Sequence, residues 1–283
     1  MIIIKSLDKA RKVSGNRHKA SKIIGFVPTM GFLHKGHISL IRRAKKECDF
    51  LVVSIFVNPI QFGVGEDYKQ YPRDFIRDKK ILEKEGVNLL FLPIVKTIYP
   101  LEASTYAYED DLSQALCGKS RPGHFRGVCT VLTKLFNIIR PDIAYFGQKD
   151  YQQTLIVKRL VKDFNFPIKV KVLPIVREQD KVAMSSRNAG LNGQARESSR
   201  CLYKALMLAK GLIKAGEKKP EIIINQIKKL VNSTELAKID YVEIVDPKNL
   251  KNLKKIRAKI LIALAVYIKN VRLIDNIILN VKK

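Results

Sequence analysis

An α/β fold, in which a parallel sheet carries helices on both faces and a smaller α+β unit follows, is predicted by three observations on the 283-residue chain. Apolar runs closed by glycine or proline turns alternate with segments of helical period through the first 176 residues. The run Phe50–Val57 is almost continuously apolar, as befits a parallel strand covered on both faces. After Asn192 the texture changes to a long helical segment, a shorter one, and three strand-like runs. The expected domains are therefore 1–176 and 177–283, with the loop around Met184 as hinge.

The elements follow in order. Ile23–Val27 reads as a strand ending at Pro28, and Ile38, Leu40, Ile41 and Ala44 mark one face of a helix. Between them lies the turn Met30–His37, in which Gly31 and Gly36 permit backbone geometry that a Cβ would obstruct. Phe50–Val57 runs into the loop Asn58–Gly63. Asp74 caps a helix that buries Ile76, Ile81 and Leu82, and Val87–Leu92 forms a third strand. The polar stretch Tyr99–Ser120 has no clear period. Arg121–Gly127 then leads into the helical pattern Val128, Val131, Leu132, Leu135, Phe136 and Ile139. Ile143–Phe146 is a fourth strand, Gly147–Gln153 a turn and helix start, and Ile168–Val176 a fifth strand. Beyond it come a helix over 195–215, another over 220–230, and strands over 240–245, 260–268 and 271–279.

Chemistry concentrates at the C-terminal ends of the predicted parallel strands, where open α/β sheets bind their ligands. His34 and His37, three residues apart at a helix entrance, lie on one side of it, above N–H groups left unpaired by the first turn. That combination suits a phosphate group. The bland alternative is a pair of surface histidines, and a paired metal site lacks a nearby Cys or carboxylate to complete it. Asn58 and Gln61 border the same edge as candidate substrate ligands, or as ordinary turn residues. Lys149 offers a point charge, Asp150 a cap or a ribose contact, and Gln153 faces beside them. Ser185, Ser186 and Arg187 form a loop able to hold a triphosphate tail. Asp78 is a candidate metal contact through water, or a solvated charge.

Composition narrows the classes. Lys plus Arg number 53 and Asp plus Glu 26, a net charge of +27, yet the cations are scattered rather than striped. Compositional drift explains them better than a nucleic-acid surface, and anionic substrates are attracted either way. Four dispersed cysteines without a Cys-x-x-Cys pair indicate reduced thiols rather than disulfides or a zinc ribbon. Ile2–Ile4 is too short for a signal core, and Ile260–Ile268 spans about half of the roughly 20 residues a bilayer requires. No membrane or nucleic-acid partner is expected.

His34-Lys35-Gly36-His37 resembles the His-x-Gly-His signature of the nucleotidyltransferase superfamily, and Met184–Asn188 resembles its mobile Lys-Met-Ser-Lys-Ser-type loop. Together with Pro28–Gly31, Phe56–Phe62, Tyr71–Arg73, Gly147–Gln153 and Arg272-Leu273-Ile274-Asp275-Asn276, these segments resemble, along the whole chain, the pantothenate synthetase family. The resemblance implies a Rossmann-like nucleotide domain with a C-terminal lid. It implies ATP- and Mg2+-dependent condensation of (R)-pantoate with β-alanine through a pantoyl-adenylate, in a cytoplasmic homodimer. It places Met30, Gly31, Phe32, Leu33, His34, Lys35, Gly36, His37, Gly147, Gln148, Lys149, Asp150, Val176, Met184, Ser185, Ser186 and Arg187 around ATP, and Gln61 and Gln153 at pantoate. His37, His34 and Lys149 are the implied catalytic groups, with His37 as proton donor. Arg77 stands where some relatives carry an acid. A nucleotidyltransferase acting on a phosphorylated substrate would share the histidine motif without needing Gln61 and Gln153, whereas a tRNA-binding module would use the +27 charge but calls for an anticodon-type domain and an aromatic-rich basic sheet that the sequence does not suggest.

Overall fold

A computed structural model describes residues 1–281. In chain order the elements are β1 (Ile2–Ile4), α1 (Leu7–Lys19), β2 (Ile24–Thr29), α2 (Lys35–Glu47), β3 (Phe50–Ile55), α3 (Phe75–Lys84), β4 (Leu89–Phe91) and α4 (Val95–Ile98). They continue with α5 (Leu116–Ser120), α6 (His124–Ile139), β5 (Ile143–Gly147), α7 (Tyr151–Asp163) and β6 (Lys169–Leu173). The last are α8 (Gly193–Ser199), α9 (Cys201–Lys214), α10 (Pro220–Asn232), β7 (Ala237–Val245), β8 (Lys259–Ile268) and β9 (Val271–Asn280). The chain divides into two compact units. One comprises 1–110, 121–148 and 153–174, the other 111–120, 149–152 and, among the described residues, 175–281.

The first unit is built on a six-stranded sheet of order β1-β4-β3-β2-β5-β6, parallel throughout. Successive strand residues face opposite sides. Val27, Leu51, Val53, Leu90 and Tyr145 meet Leu40, Ile41 and Ala44 of α2 and Leu82 of α3 on one side. Phe26 meets Phe136 of α6 edge-on, ring centroids 6.4 Å apart, on the other, where α1 also packs. Burial of Leu40 and Ile41 contributes about 1.5–3 kcal/mol each. Helices thus flank both faces, as expected. The close approach of α2 requires Gly25, because a β-carbon there would lie 2.7 Å from Cys48 Sγ.

Two departures from the expected elements have clear causes. β2 continues through Pro28 to Thr29 because its pairing with β5 ends at Phe26, so the missing proline N–H leaves no ladder bond unmade. β1 and α1 carry too little pattern to read: β1 is a three-residue edge strand, and α1 buries only Ala10 and Ser14. Ser6 caps α1 by accepting from Lys9 N at 3.3 Å.

The second unit packs α9 and α10 against the antiparallel sheet β7-β8-β9. Ile260, Ile262, Leu264, Val266 and Ile268 of β8 form the strip of that core, with Leu202, Ala205 and Leu206 of α9 and Ile223 and Ile227 of α10. The helix expected over 195–215 is two, α8 and α9, separated at Arg200. There Ser199 Oγ donates to Arg196 O at 2.6 Å, and Arg200 N bonds back to Glu197 O at 3.2 Å, tightening the turn. An irregularity in β7 between Ile239 and Tyr241 leaves Asp240 outside the ladder, where it pairs with Arg272.

Candidate active site

The turn between β2 and α2 is held from below. Thr29 Oγ1 donates to Ser54 O at 2.8 Å and accepts from Gly31 N at 3.2 Å. Gly31 has φ +82°, and a β-carbon there would press Ile55 at 3.0 Å and Asp78 Oδ2 at 3.1 Å. Phe32 follows with φ +50°, a left-handed conformation that needs compensation in a non-glycine residue. Asp78 of α3 supplies it: its two carboxylate oxygens accept from Phe32 N and Leu33 N, each at 2.7 Å. Burial pushes the Asp78 carboxyl up, while the bonds from Leu33 and Phe32 pull it down. Arg77 donates to Leu33 O at 2.8 Å and lies over the Phe32 ring. The metal contact expected of Asp78 therefore meets a different geometry, since the side chain is 1% exposed and both oxygens hold main-chain N–H groups.

His34 is the N-cap of α2. Its Nδ1 accepts from Gly36 N at 3.1 Å, and His37 Nδ1 accepts from His34 N at 3.3 Å, a reciprocal capping box made by two imidazoles. The rings stack with centroids 4.0 Å apart and 28° between planes. An Nδ1 that accepts an N–H belongs to a neutral ring whose proton sits on Nε2. Each histidine thus presents an Nε2–H donor on a fixed stem at a helix N-terminus, where the macrodipole favours an anion.

Gln61 lies in the helical turn Pro59–Gln61 beyond β3, and its Nε2 donates to Met30 Sδ at 3.0 Å, which joins it to the histidine turn. Asn58 Nδ2 bridges Gln61 Oε1 at 3.1 Å and Gly127 O at 3.0 Å, while Tyr99 Oη donates to Asn58 Oδ1 at 2.8 Å. Gly127 matters for a steric reason: a β-carbon would stand 2.5 Å from Gln61 Cα and from Ile60 O. His124 Nδ1 lies 2.8 Å from Gln61 O, and Arg121 both donates to that carbonyl and pairs with Glu66. Burial pushes the Glu66 carboxyl up, but the Arg121 bond and charge outweigh it and leave Glu66 below its ordinary value. The Arg121–Gly127 segment thus spends Arg121 and His124 on the Gln61 turn. Its role in placing Gln61 shows only in the fold, where Gly127 in the first turn of α6 lies against Ile60 and Gln61.

Gly147 ends β5, and Gln148–Asp150 form a helical turn before α7. Gln153 lies on α7, partly exposed, in the first unit. Lys149 belongs to the second unit, where its Nζ pairs with Asp150 at 3.0 Å and its carbonyl accepts from Asn276 Nδ2 at 2.9 Å. Gln152, buried, does something the sequence did not announce: it accepts from Cys117 N and donates to Leu112 O and Ala115 O.

Val176 and Met184 are opposite one another in a small hairpin, joined by Met184 N to Val176 O at 2.9 Å and by the Arg177–Ala183 bridge. Arg196 clasps the hairpin through Asp180 at 2.7 Å and Glu178 at 3.0 Å. Ser185 caps the turn Ser186–Gly190 by accepting from Arg187 N at 3.3 Å. Among the described residues no group of three His, Cys, Asp or Glu side chains forms a metal centre, and no helix is long and apolar enough to cross a membrane.

Comparison with known proteins agrees with this architecture. The pantothenate synthetase of Thermotoga petrophila is 52% identical over 279 residues, covering 99% of this chain and all of that protein. That of Thermosipho melanesiensis is also 52% identical, over 278 residues, covering 98% of this chain and 99% of the relative. The crystal structure of pantothenate synthetase from Thermus thermophilus superposes with a TM-score of 0.92 at 40% identity, over the whole of both chains. The pantoate-beta-alanine ligase of Francisella tularensis, solved in complex with beta-gamma ATP and beta-alanine, gives 0.80 at 38% identity over 98% of this chain and 97% of that one. With the family described as pantoate-beta-alanine ligase matching residues 2–278, the chain belongs to that family.

Proposed function

We propose that the protein condenses (R)-pantoate with β-alanine to give pantothenate, using ATP and releasing AMP and pyrophosphate through a pantoyl-adenylate. Its membership of the ligase family over residues 2–278, a span that includes every segment of the candidate site, carries this reading.

The chemistry explains why such a site is needed. A carboxylate cannot lose oxide to an amine, so it must first become an anhydride with a better leaving group. The pantoate carboxylate attacks the α-phosphorus of ATP and pyrophosphate departs. The β-alanine amine then attacks the acyl carbon of the mixed anhydride, and AMP departs with the electron pair of the broken C–O bond. Charge grows on the phosphoryl oxygens in the first step, and fixed donors aimed there lower its barrier. His34 and His37 are suited to this task because their Nδ1 atoms are committed to the helix cap, which leaves Nε2–H as the donor. A neutral imidazole gives a hydrogen bond rather than its remaining N–H proton, so His37, expected from the sequence as proton donor, is assigned instead as the Nε2–H hydrogen-bond donor to the developing charge, and Lys149 as the charge on the phosphates. Gly147, Gln148, Asp150, Val176 and the Met184–Arg187 loop complete the nucleotide contacts. Gln61 and Gln153 bind pantoate, their neutral amides serving hydroxyls and a carboxylate together, and holding carboxylate and phosphate in line supplies the positional advantage. The net charge of +27 draws the anionic substrates in.

Magnesium would supply positive charge against the phosphate groups of the nucleotide. The residues present do not fit a protein-held ion at Asp78, whose oxygens are occupied by Phe32 N and Leu33 N. The metal is assigned to the nucleotide. The family resemblance further supports a cytoplasmic homodimer, which sedimentation velocity checks by mass.

The test is pyrophosphate release from ATP with and without pantoate. Release should require pantoate, and amide should form only when β-alanine is added. Release that ignores pantoate but responds to a phosphoester or to tRNA would overturn the assignment.

A further inference from the structure

The segment Arg272–Asn276 of β9 carries no role in the chemistry above, yet three of its five side chains are engaged in bonds that cross the second unit. We infer that Asp275 and Asn276 are positioning residues that set the place of two nucleotide-binding segments at once. The inference rests on the proposed assignment of Lys149 and Met184–Arg187 to ATP.

Neighbouring residues of a strand point to opposite faces. Asp275 and Asn276, 3% and 4% exposed, therefore reach different segments from adjacent positions on β9, the edge strand of its sheet. Asp275 takes the Arg177 guanidinium at 2.6 and 3.0 Å, a two-point pairing that fixes orientation as well as distance. The same guanidinium donates to Lys181 O at 3.1 Å and covers the Tyr203 ring. Arg177 thereby pins both arms of the hairpin, and Met184 sits across that hairpin from Val176. Asn276 N donates to Asp275 Oδ1 at 2.8 Å, so the carboxylate is itself held.

On the other face, Asn276 Nδ2 donates to the main-chain carbonyl of Lys149 at 2.9 Å. The residues after Lys149 are fixed nearby, Tyr151 Oη donating to Pro247 O at 2.9 Å and Gln152 holding the chain around Cys117. The lysine backbone is thus anchored separately from its side chain, whose Nζ pairs with Asp150. Arg272, through Asp240 at 2.7 Å and Ser120 Oγ at 3.1 Å, keeps the start of the strand in register. Because the two clamps are one residue apart, the separation between the lysine and the hairpin is written into the strand itself. A slip of one residue would exchange their faces.

The experiment uses the full chain with Asn276→Ala and Asp275→Asn, measuring pantoate-dependent exchange of labelled pyrophosphate into ATP, KM for ATP and for pantoate, and aminolysis by β-alanine of supplied pantoyl-adenylate. Loss of one anchoring bond should lower kcat/KM for ATP about tenfold in the exchange reaction, with KM for pantoate unchanged. Aminolysis, which involves no β- or γ-phosphate, should fall far less. Equal losses in every readout, tracking the folded fraction, would reduce these residues to structural supports and overturn the inference. So would unchanged exchange in a folded variant. If Asp275→Asn fails to fold, the double variant Arg177→Met, Asp275→Leu replaces the ion pair with apolar volume and should fold while keeping the exchange defect. Wild-type protein without pantoate-dependent exchange would sink the proposed function and this inference together, whereas normal wild-type exchange with unaffected variants sinks this inference alone.

Discussion

Replacing Asp78 with alanine separates an anchoring role from a metal-binding one. The substitution removes both acceptors of Phe32 N and Leu33 N, at 2.7 Å each, in a place where the side chain is 1% exposed and water does not readily substitute. A buried N–H left without a partner costs about 1–3 kcal/mol, so two give about 2–6 kcal/mol. Part is recovered because the buried carboxylate carried a desolvation penalty, visible in its raised pKa, which favours the lower half of that range. Phe32, at φ +50°, would lose the bond that offsets its conformation, so the histidine turn should loosen as well. Urea unfolding followed by circular dichroism reads the stability loss, and pantoate-dependent pyrophosphate exchange across a magnesium titration reads the site. The expectation is a clear drop in midpoint with unchanged slope, and an exchange defect that added magnesium does not repair. A stability loss under about 1 kcal/mol together with recovery of exchange at high magnesium would refute the anchoring account and return Asp78 to the metal.

Other predictions address separate parts. Gly127→Ala places a β-carbon 2.5 Å from Gln61 Cα and Ile60 O, so the Gln61 turn must shift and KM for pantoate should rise about tenfold, KM for ATP holding. Pantoate kinetics identical to wild type would disprove that Gln61 is placed by this contact. His37→Ala should slow adenylate formation about a hundredfold while ATP affinity by calorimetry changes little, and equal losses in both would remove the residue from the chemistry. Glu47 holds its carboxyl at about 2, below the ordinary 4.5, through bonds from Lys171 and Tyr145. A depressed carboxyl stabilises fully above pH 4.5 and loses that contribution as pH falls toward 2, so Lys171→Met should flatten the unfolding midpoint across that window. An unaltered pH profile would show the pair to be inert.

The histidine turn was legible because it is local: a strand, two glycines, two imidazoles at helical spacing and an amphipathic helix all fall within 25 residues of chain. The strand–helix alternation and the three strand-like runs after Asn192 were legible for the same reason, since hydrophobic period survives without tertiary information, while the antiparallel pairing of those runs was not. What escaped reading depends on partners distant in sequence. Asp78 accepts from Leu33, 45 residues away, and looks from sequence like any acid on a helix. Asn276 meets Lys149 at a separation of 127, and Gln152 binds Cys117 across 35, with nothing local to distinguish it from the neighbouring Gln153. α1 lacked a stripe because only Ala10 and Ser14 are buried, and the α8–α9 break is marked by two short-range back-bonds, Ser199 Oγ to Arg196 O and Arg200 N to Glu197 O, that the hydrophobic period does not register.

Gly25 has a bearing on motion. Helix α2 is gripped at its tail, where Cys48 lies so near Gly25 that no side chain fits between, and its entry turn is tied to α3, whose Asp78 accepts from Phe32 N and Leu33 N. A rod seized at both ends neither slides nor rolls, so its two rings travel with the sheet as one solid piece. Whatever rearrangement accompanies nucleotide capture has to be taken up by other parts of the chain.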